Sequence, residues 1–276
     1  MYPYVHIKFL FIDKDYSSYG IAVLFAFLFF LIPALVDNQK RKEDFFNRFL
    51  YLVFLLLIGT TCAAVLFQIT NIPIWKIAIP LIKANPSDWK NYINIGIVYY
   101  GGFIGIIIGA MVYSKFYNED IRRWIPTTVL SIPGFHAVGR VGCAIAGCCY
   151  GFEVTSGGIY NARIDKYCFP VQLIEAAGEL TIFFIILLIL LFKLDKKNLY
   201  LPLSAYCIIY GILRFILEFY RGDKLRGLWG PFSTSQYISM VVVPFGVYCL
   251  VCPQNRNFLD KWYSGRKKKT NTVTKD

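Results

Sequence analysis

The stretch YSSYGIAVLFAFLFFLIPALV, residues 16–36, decides the fold, because its 21 residues between Asp15 and Asp37 contain no charged side chain. A helix needs about 20 apolar residues to cross a hydrocarbon core about 30 Å thick. Acidic residues precede this stretch and basic residues follow it, which is the reverse of a cleaved signal peptide. Three more uncharged runs of this kind are residues 49–75, 91–114 and 227–255. We therefore predict an all-α polytopic membrane protein.

Three further segments are long enough to cross a membrane but contain ionisable residues. They are residues 124–152 with Arg140, residues 171–192 with Glu175 and Glu179, and residues 198–219 with Arg214 and Glu218. With the four uncharged runs they predict about seven transmembrane helices. One arginine at the bilayer centre costs at least about 2.5–3.5 kcal/mol. Each of these ionisable residues is therefore expected to face protein or water and to have a partner.

The loop charges predict the orientation. With the N-terminus outside, the inner segments hold 17 of the 29 lysines and arginines and the outer segments hold 10, which favours an N-out, C-in topology. The net charge of +12 then anchors the chain to the anionic inner leaflet of its membrane, and predicts no nucleic-acid partner. We expect one membrane domain over residues 1–264 and a disordered basic tail over 265–276. Residues 72–89 are expected to form an interfacial segment or short outer arm, and residues 153–168 and 222–231 outer loops.

The pattern RFILEFYR, residues 214–221, spaces three charged residues at i, i+4 and i+7. Arg214, Glu218 and Arg221 would share one helix face with Tyr210, and Arg214 and Glu218 would form an internal ion pair. Arg140 has no acidic residue within one helical turn. It must pair with another helix or hold an external anion, and a planar guanidinium suits a phosphate because it donates two parallel hydrogen bonds.

The segment around Arg140 reads HAVGRVGCAIAGCCYG, residues 136–151. Its four glycines suit either close helix packing or a helix that bends to admit a ligand, and Gly101-Gly102 could open another helix beside the same site. His136 has two interpretations: it contacts a headgroup or takes a proton near Arg140, or it caps local backbone at a bend.

The eight cysteines are scattered and lie mostly in or near apolar runs, unlike a secreted disulfide framework. Four of them, with His136 as a fifth group, could form a metal site: Cys143, Cys148, Cys149 and Cys168. Their C-x4-C-C spacing departs from the common zinc patterns, so we predict no metal. Small packed thiols are the favoured interpretation, and an outer-face disulfide is the other alternative.

Taken together, these residues resemble the prolipoprotein diacylglyceryl transferase family over about residues 16–250. The matching positions, in chain order, are Tyr19-Gly20, Asp44, Gly101-Gly102, GRVG at 139–142, Gly151, PVQLIE at 170–175 and RFILEFYR at 214–221. The resemblance implies seven helices, no cofactor, and transfer of diacylglyceryl from phosphatidylglycerol to the lipobox cysteine thiol of a preprolipoprotein, with release of glycerol phosphate. Membrane lipids and the lipobox peptide are the implied partners, and the bacterial plasma (inner) membrane is the implied location.

The resemblance also implies site residues. Arg140 and Arg214 would hold the phosphate, Glu218 would orient Arg214, and Glu175 would orient another group. The catalytic residues would be Tyr100, Arg140, Arg214 and Glu218, and the substrate-binding residues Tyr19, Gly101, Gly102, His136, Arg140, Cys143, Gly151, Gln172, Glu175 and Arg221.

Four positions depart from the family pattern. Tyr100 stands where the family has a histidine, Cys143 where it has an asparagine, Cys148 where it has an acidic residue, and Thr61 where it has an arginine. Two alternative functions are a related transferase that uses phosphatidylglycerol with a different acceptor, and a non-catalytic binder or transporter of anionic lipid.

Overall fold

A computed structural model describes residues 4–9, 12–41, 45–70, 72–86, 99–117, 121–192, 194, 198, 200–223 and 228–251. The helices are α1 (Ser18–Arg41), α2 (Phe45–Thr70), α3 (Ile72–Ala84), α4 (Tyr99–Tyr117), α5 (Ile121–Ala146), α6 (Val171–Leu191), α7 (Leu201–Leu217) and α8 (Thr234–Val251). A 3-10 turn (Glu218–Tyr220) continues α7. Three antiparallel hairpins pair β1 (Tyr4–Phe9) with β2 (Ile12–Ser17), β3 (Ile159–Asn161) with β4 (Lys166–Cys168), and β5 (Leu228–Trp229) with β6 (Phe232–Ser233).

The described helices confirm the all-α polytopic membrane fold. Five spans are long and apolar enough to cross a membrane: Phe46–Ile69, Trp124–Ala146, Val171–Leu191, Leu201–Tyr220 and Thr234–Val251. Two shorter apolar helices, Ser18–Pro33 and Gly101–Tyr117, fall in the remaining two predicted segments. The N-out, C-in orientation stays a prediction, and the basic tail lies outside the described residues.

The polar connections contain more local structure than the sequence indicated. Residues 72–84 of the expected interfacial arm form the helix α3, with Pro80 inside it. The expected loop at 153–168 contains the β3–β4 hairpin. Strand β5 lies within the expected loop at 222–231 and pairs with β6, which follows it directly.

The chain divides into two compact units, Met1–Val36 with Arg122–Asp276, and Asp37–Ile121. In the second unit α2 packs along α4. A Cβ atom added at Gly101 would lie 2.7 Å from the Ala63 Cα atom, and one at Gly105 would lie 2.7 Å from the Gly59 Cα atom. Such small residues let helix backbones approach closely. Helix α4 runs unbroken through Gly101 and Gly102, so this glycine pair does not open the helix. A single domain over 1–264 stays a prediction.

In the first unit α5 is the most enclosed of the long helices, with 67% of its span buried, against 22–44% for the other four. A Cβ atom at Gly142 would lie 2.5 Å from the Ala22 Cβ atom of α1. Gly134 approaches Phe183 of α6 in the same way. Helix α6 packs on α7, and α7 packs on α8. The polar residues of α5 therefore face protein rather than lipid.

Candidate active site

Three helices of the first unit place ionisable side chains four residues apart, so each pair shares one helix face. Helix α5 carries His136 and Arg140, and α6 carries Glu175 and Glu179. Arg214 lies near the end of α7, and Glu218 is the first residue of the following 3-10 turn. All six are buried or nearly so, since the exposed fraction of the Arg140 side chain is only 11%.

Glu175 is the centre of this cluster. Its Oε2 atom lies 3.0 Å from the Arg140 Nε atom and 3.2 Å from the Arg214 Nη1 atom. Its Oε1 atom accepts from Arg214 Nη1 at 3.3 Å and from the Tyr210 hydroxyl at 3.4 Å. One buried carboxylate thus bridges two guanidinium groups from different helices. Of the two alternatives for Arg140, a partner on another helix or an external anion, the structure shows the first.

Arg214 has both terminal nitrogens engaged. Its Nη2 atom lies 2.7 Å from the Glu218 Oε2 atom and donates to the Ser235 hydroxyl of α8 at 3.1 Å. Because Nη1 is bound to Glu175, the side chain is fixed by three neighbouring groups. The predicted Arg214–Glu218 ion pair is confirmed, whereas Ser235 was not anticipated. A direct contact between Arg214 and a substrate phosphate stays a prediction.

Arg140 is held differently from Arg214. Within the described residues its polar contacts all run through Nε, to Glu175 and to the His136 Nε2 atom at 3.2 Å. Its Nη1 and Nη2 groups have no recorded protein partner there. The guanidinium fork of Arg140 is therefore available to a ligand while its Nε edge is fixed.

His136 and Glu179 form a second buried pair beside Arg140. The His136 Nδ1 atom lies 2.5 Å from the Glu179 Oε1 atom. Since Nε2 accepts the Arg140 Nε–H, the hydrogen-bond network assigns the ring proton to Nδ1, which donates to Glu179. These contacts favour a role for His136 at the arginine site over a backbone cap. Glu179 was missed as a site residue, although its position four residues after Glu175 was a usable signal.

The end of α5 turns through a Schellman motif. The Cys148 N–H donates to the Cys143 carbonyl at 3.1 Å, and the Gly147 N–H donates to the Ala144 carbonyl at 3.3 Å. Gly147 has φ +73°, as this motif requires. The motif brings the side chains of its first and last residues together, and here both are cysteines. Cys149 follows with φ 56°, and the sulfur atoms of Cys143, Cys148 and Cys149 all lie within 4.8 Å of one another.

Two buried amide side chains fix this thiol loop, by which we mean residues 143–149. The Asn161 Nδ2 atom donates to the Gly147 carbonyl at 3.0 Å, and the Gln172 Nε2 atom donates to the Cys148 carbonyl at 2.8 Å. Both side chains are almost fully enclosed. Gln172, a predicted substrate-binding residue, therefore holds loop backbone, and Asn161 was missed because a lone asparagine before a turn carries no distinctive signal.

The environment of Cys149 lowers its pKa. The neighbouring thiols of Cys143 and Cys148 lower this pKa, and the guanidinium groups of Arg140 and Arg221 act in the same direction. The Cys148 thiol itself donates to the Cys143 carbonyl oxygen at 3.7 Å. The three described cysteines of the loop are free thiols, as are Cys62, Cys168, Cys207 and Cys249. Cys168 is not part of the three-sulfur group. The thiol loop is thus adjacent to the arginine cluster rather than separate from it.

Tyr19 of α1 approaches the same place. Its ring lies 3.5 Å from the position of a Cβ atom at Gly142, and it is within electrostatic range of Arg140 and Cys143. The structure therefore brings Tyr19 together with the predicted residues of α5. The side chain of Tyr100 lies outside the described residues. The predicted substrate roles of Tyr100, Gly101 and Gly102 stay predictions.

Arg221 departs from its predicted position. Helix α7 ends at Leu217, and Arg221 has extended backbone with φ −78° and ψ 135°. It does not continue the face of Arg214, because the 3-10 turn changes the residue spacing. Its Nε atom instead donates to the Asp223 Oδ1 atom at 2.7 Å, and its backbone forms a bridge with Gly151. The expected helical face of Arg214, Glu218 and Arg221 is therefore wrong at its last residue.

Gly151 has a structural reason to be glycine. A Cβ atom there would lie 2.4 Å from the Phe169 carbonyl oxygen. The neighbouring Phe152 N–H donates to the Tyr220 carbonyl at 3.0 Å, and the rings of Phe152 and Phe169 stack with centroids 5.4 Å apart. This packing ties the segment after the thiol loop to the segment after α7. Substrate binding by Gly151 stays a prediction.

Comparisons with known proteins agree with this architecture. The family model described as prolipoprotein diacylglyceryl transferase matches residues 8–252. A phosphatidylglycerol–prolipoprotein diacylglyceryl transferase of Clostridium tetani is 28% identical over 241 residues, covering 83% of this chain and 91% of that protein. The second such transferase of Clostridium perfringens is 29% identical over 236 residues, covering 83% and 86%. One from Leptospira interrogans is 23% identical over an alignment of 325 residues, covering 96% of both chains.

Proposed function

The chain belongs to the prolipoprotein diacylglyceryl transferase family, and we propose that it transfers the diacylglyceryl group of phosphatidylglycerol to a lipobox cysteine of a preprolipoprotein. The acceptor sulfur attacks the glycerol carbon that carries the phosphate. A carbon–sulfur bond forms, the carbon–oxygen bond to phosphate breaks, and its electron pair leaves with glycerol phosphate. The chain is thus a multi-pass membrane transferase, and the bacterial plasma membrane is its proposed location.

The observation that carries this proposal is the available fork of Arg140. Within the described residues its Nε edge is bound and its two Nη groups have no recorded protein partner. A guanidinium fork matches two oxygens of a phosphate. The leaving phosphate gains negative charge as the carbon–oxygen bond breaks, and preorganised cations in a water-poor site stabilise such charge most effectively. Arg140 is therefore the proposed direct ligand of the phosphate.

The charge balance of the cluster suits a membrane site. Arg140 and Arg214 are matched by Glu175 and Glu218, so neither guanidinium group is buried without a counter-charge before the lipid arrives. An unpaired charge at this depth would be costly. Arg214 supports Arg140 through the shared carboxylate of Glu175, and Glu218 and Ser235 hold Arg214 in place. We assign Glu175 and Glu218 as positioning residues.

The lipobox thiol must lose a proton during the reaction, and His136 is the proposed base that takes it. Its Nδ1–H donates to Glu179, which stabilises the imidazolium formed when Nε2 takes a proton. In this structure Nε2 accepts the Arg140 Nε–H, so the Nε–H must turn to the Glu175 Oε2 atom, 3.0 Å away, before Nε2 can take the proton. Tyr100 stays a predicted participant, and a phenol with a pKa near 10 is a weaker base at neutral pH.

A reconstituted assay tests the proposed function. The purified protein is placed in phosphatidylglycerol vesicles with a peptide that bears a lipobox cysteine. We expect glycerol phosphate release together with a diacylglyceryl mass gain on the peptide. The matched controls are the same peptide with serine in place of cysteine, and vesicles of phosphatidylethanolamine. Folded protein that releases no glycerol phosphate and leaves the cysteine peptide unmodified would contradict the proposal.

A further inference from the structure

The thiol loop places three sulfur atoms together for a reason that can be read from its backbone. The Schellman motif brings Cys143 and Cys148 side by side. Cys149 then adopts φ 56°, a left-handed conformation that is uncommon for a residue with a side chain. Its sulfur atom joins the other two within 4.8 Å. Strained backbone of this kind often belongs to a ligand clamp.

The loop is held before any ligand arrives. Asn161 and Gln172 fix the carbonyls of Gly147 and Cys148, and both amide side chains are buried. Metal sites depend on residues that hold the ligands by hydrogen bonds without touching the metal. Loss of one such residue typically lowers metal affinity roughly 10–100-fold. The sulfur positions are thus set by two elements outside the loop, β3 and α6.

The number and spacing of the sulfur atoms fit a thiophilic cation. Zinc binds thiolate sulfur at about 2.3 Å in a tetrahedron, which places the sulfur atoms of such a site roughly 3.8 Å apart. The three sulfur atoms here need to close by about 1 Å at most from their 4.8 Å limit. Within the described residues the group contains no fourth histidine, cysteine or carboxylate ligand. Three protein ligands and an open position are typical of catalytic rather than structural zinc sites.

The position of the three-sulfur group indicates which ligand would occupy the fourth coordination position of the cation. Cys149 lies within electrostatic range of Arg140 and Arg221, and Arg140 is the proposed ligand of the lipid phosphate. The attacking sulfur must approach the carbon next to that phosphate.

We propose that Cys143, Cys148 and Cys149 bind a thiophilic divalent cation of the zinc class, and that its fourth position takes the acceptor thiol as a thiolate. The second half of this inference rests on the proposed function. On coordination the bound acceptor would transfer its proton to the His136 Nε2 atom. Its sulfur would then leave the cation and form the carbon–sulfur bond, with the same bond changes as above. No oxidation or reduction takes place.

The first half of the proposal, that the three cysteines bind a cation (the metal half), is tested without catalysis. The reduced full-length protein in detergent is titrated with Co²⁺, which reports thiolate ligands by an absorption band, and then with Zn²⁺ as competitor. We expect one Co²⁺ per chain, displaced by Zn²⁺. Cys148→Ser and Cys149→Ser alter partly exposed side chains. Each should weaken Co²⁺ binding by more than the roughly 10–100-fold loss that follows from removing a residue that only hydrogen-bonds to a metal ligand. The control Cys168→Ser, outside the three-sulfur group, should leave the affinity unchanged.

Two results would overturn the metal half. One is a folded, fully reduced wild-type protein that binds no stoichiometric Co²⁺ or Zn²⁺, which would leave the cysteines as packed thiols. The other is a disulfide within the group in protein isolated without reductant, detected by peptide mass spectrometry.

The acceptor half is tested on the Co²⁺ protein in the absence of phosphatidylglycerol. Adding the lipobox cysteine peptide should intensify the thiolate band, and the serine peptide should not. Cys148→Ser protein should show no such change.

Metal removal tests the same step by activity. Protein treated with a chelator should transfer diacylglyceryl at least about 100-fold more slowly, a loss comparable to removing a general base, and recover with Zn²⁺. Full transfer by metal-free protein, or no spectral response to the cysteine peptide, would overturn this half. Co²⁺ binding and the spectral response without any transfer would leave the site in place and remove only the proposed function.

Discussion

Replacing Glu175 by glutamine removes one negative charge from the centre of the cluster without changing its volume. The carboxylate contacts the Arg140 Nε atom at 3.0 Å and the Arg214 Nη1 atom at 3.2 Å, and its exposed fraction is 2%. Removing one partner of a buried ion pair typically costs about 3–5 kcal/mol, because the other charge is left uncompensated. We expect the free energy of unfolding to fall by that amount. We also expect the transfer rate to fall at least about 100-fold, since a 1 Å displacement of a positioning group can cost that much.

Glu179→Gln is the matched control for this substitution. It makes the same change one turn further along α6, at a side chain that is equally enclosed, but the recorded partner of Glu179 within the described residues is His136 alone. Loss of one hydrogen bond to a charged group costs about 1.5–3 kcal/mol. Unfolding free energies in detergent, followed by denaturant titration, compare the two variants. A Glu175→Gln protein within about 1 kcal/mol of wild type, below the cost of one such bond, or one less affected than Glu179→Gln, would refute the assignment of Glu175 as the shared partner.

Three further predictions concern single positions. Gly142→Ala should lower the unfolding temperature, because its Cβ atom would lie 2.5 Å from the Ala22 Cβ atom. The control Gly139→Ala should fold normally, because its Cβ atom would meet no described atom within 4 Å. Equal unfolding temperatures of the two variants would contradict this. Gly139→Leu should also fold, because the space at Gly139 is open to a side chain, and an unfolding temperature as low as that of Gly142→Ala would contradict this. Tyr100→Phe should retain more transfer activity than Arg140→Ala, measured by glycerol phosphate release, and equal inactivity would place the phenol hydroxyl in the chemistry.

The fold was predictable because each span is a long apolar run, and lipid imposes that pattern directly on the sequence. The runs do not show where polar segments fold. The β3–β4 hairpin at 159–168 and the helix α3 were missed, because short paired strands and an interfacial helix carry no long apolar signal. The end of α7 at Leu217 was also hidden, since RFILEFYR continues the helical spacing of charges although the backbone changes to a 3-10 turn.

The site was predictable as a set of buried charges but not as a network. Membrane depth alone identified Arg140 and Arg214 as residues that need partners. Their shared partner Glu175 lies on another helix, and sequence spacing does not specify contacts between helices. The pairing of His136 with Glu179 spans 43 residues and was missed for the same reason. The three-sulfur group depends on a Schellman motif and on the φ angle of Cys149, neither of which the C-x4-C-C spacing indicates.

The most direct measurement of the central claim is the single-turnover rate of diacylglyceryl transfer by Arg140→Lys in phosphatidylglycerol vesicles with saturating lipobox peptide. Lysine keeps the positive charge but lacks the planar fork. Loss of a charge-assisted hydrogen bond worth about 1.5–3 kcal/mol corresponds to a rate loss of roughly 10–150-fold, and Arg140→Ala should be slower still. Both variants must first be shown to be folded in detergent, because Arg140→Ala also removes one partner of the Glu175 ion pair. We expect this graded loss, and a folded Arg140→Ala protein that transfers at the wild-type rate would contradict the assignment of Arg140 as the phosphate ligand.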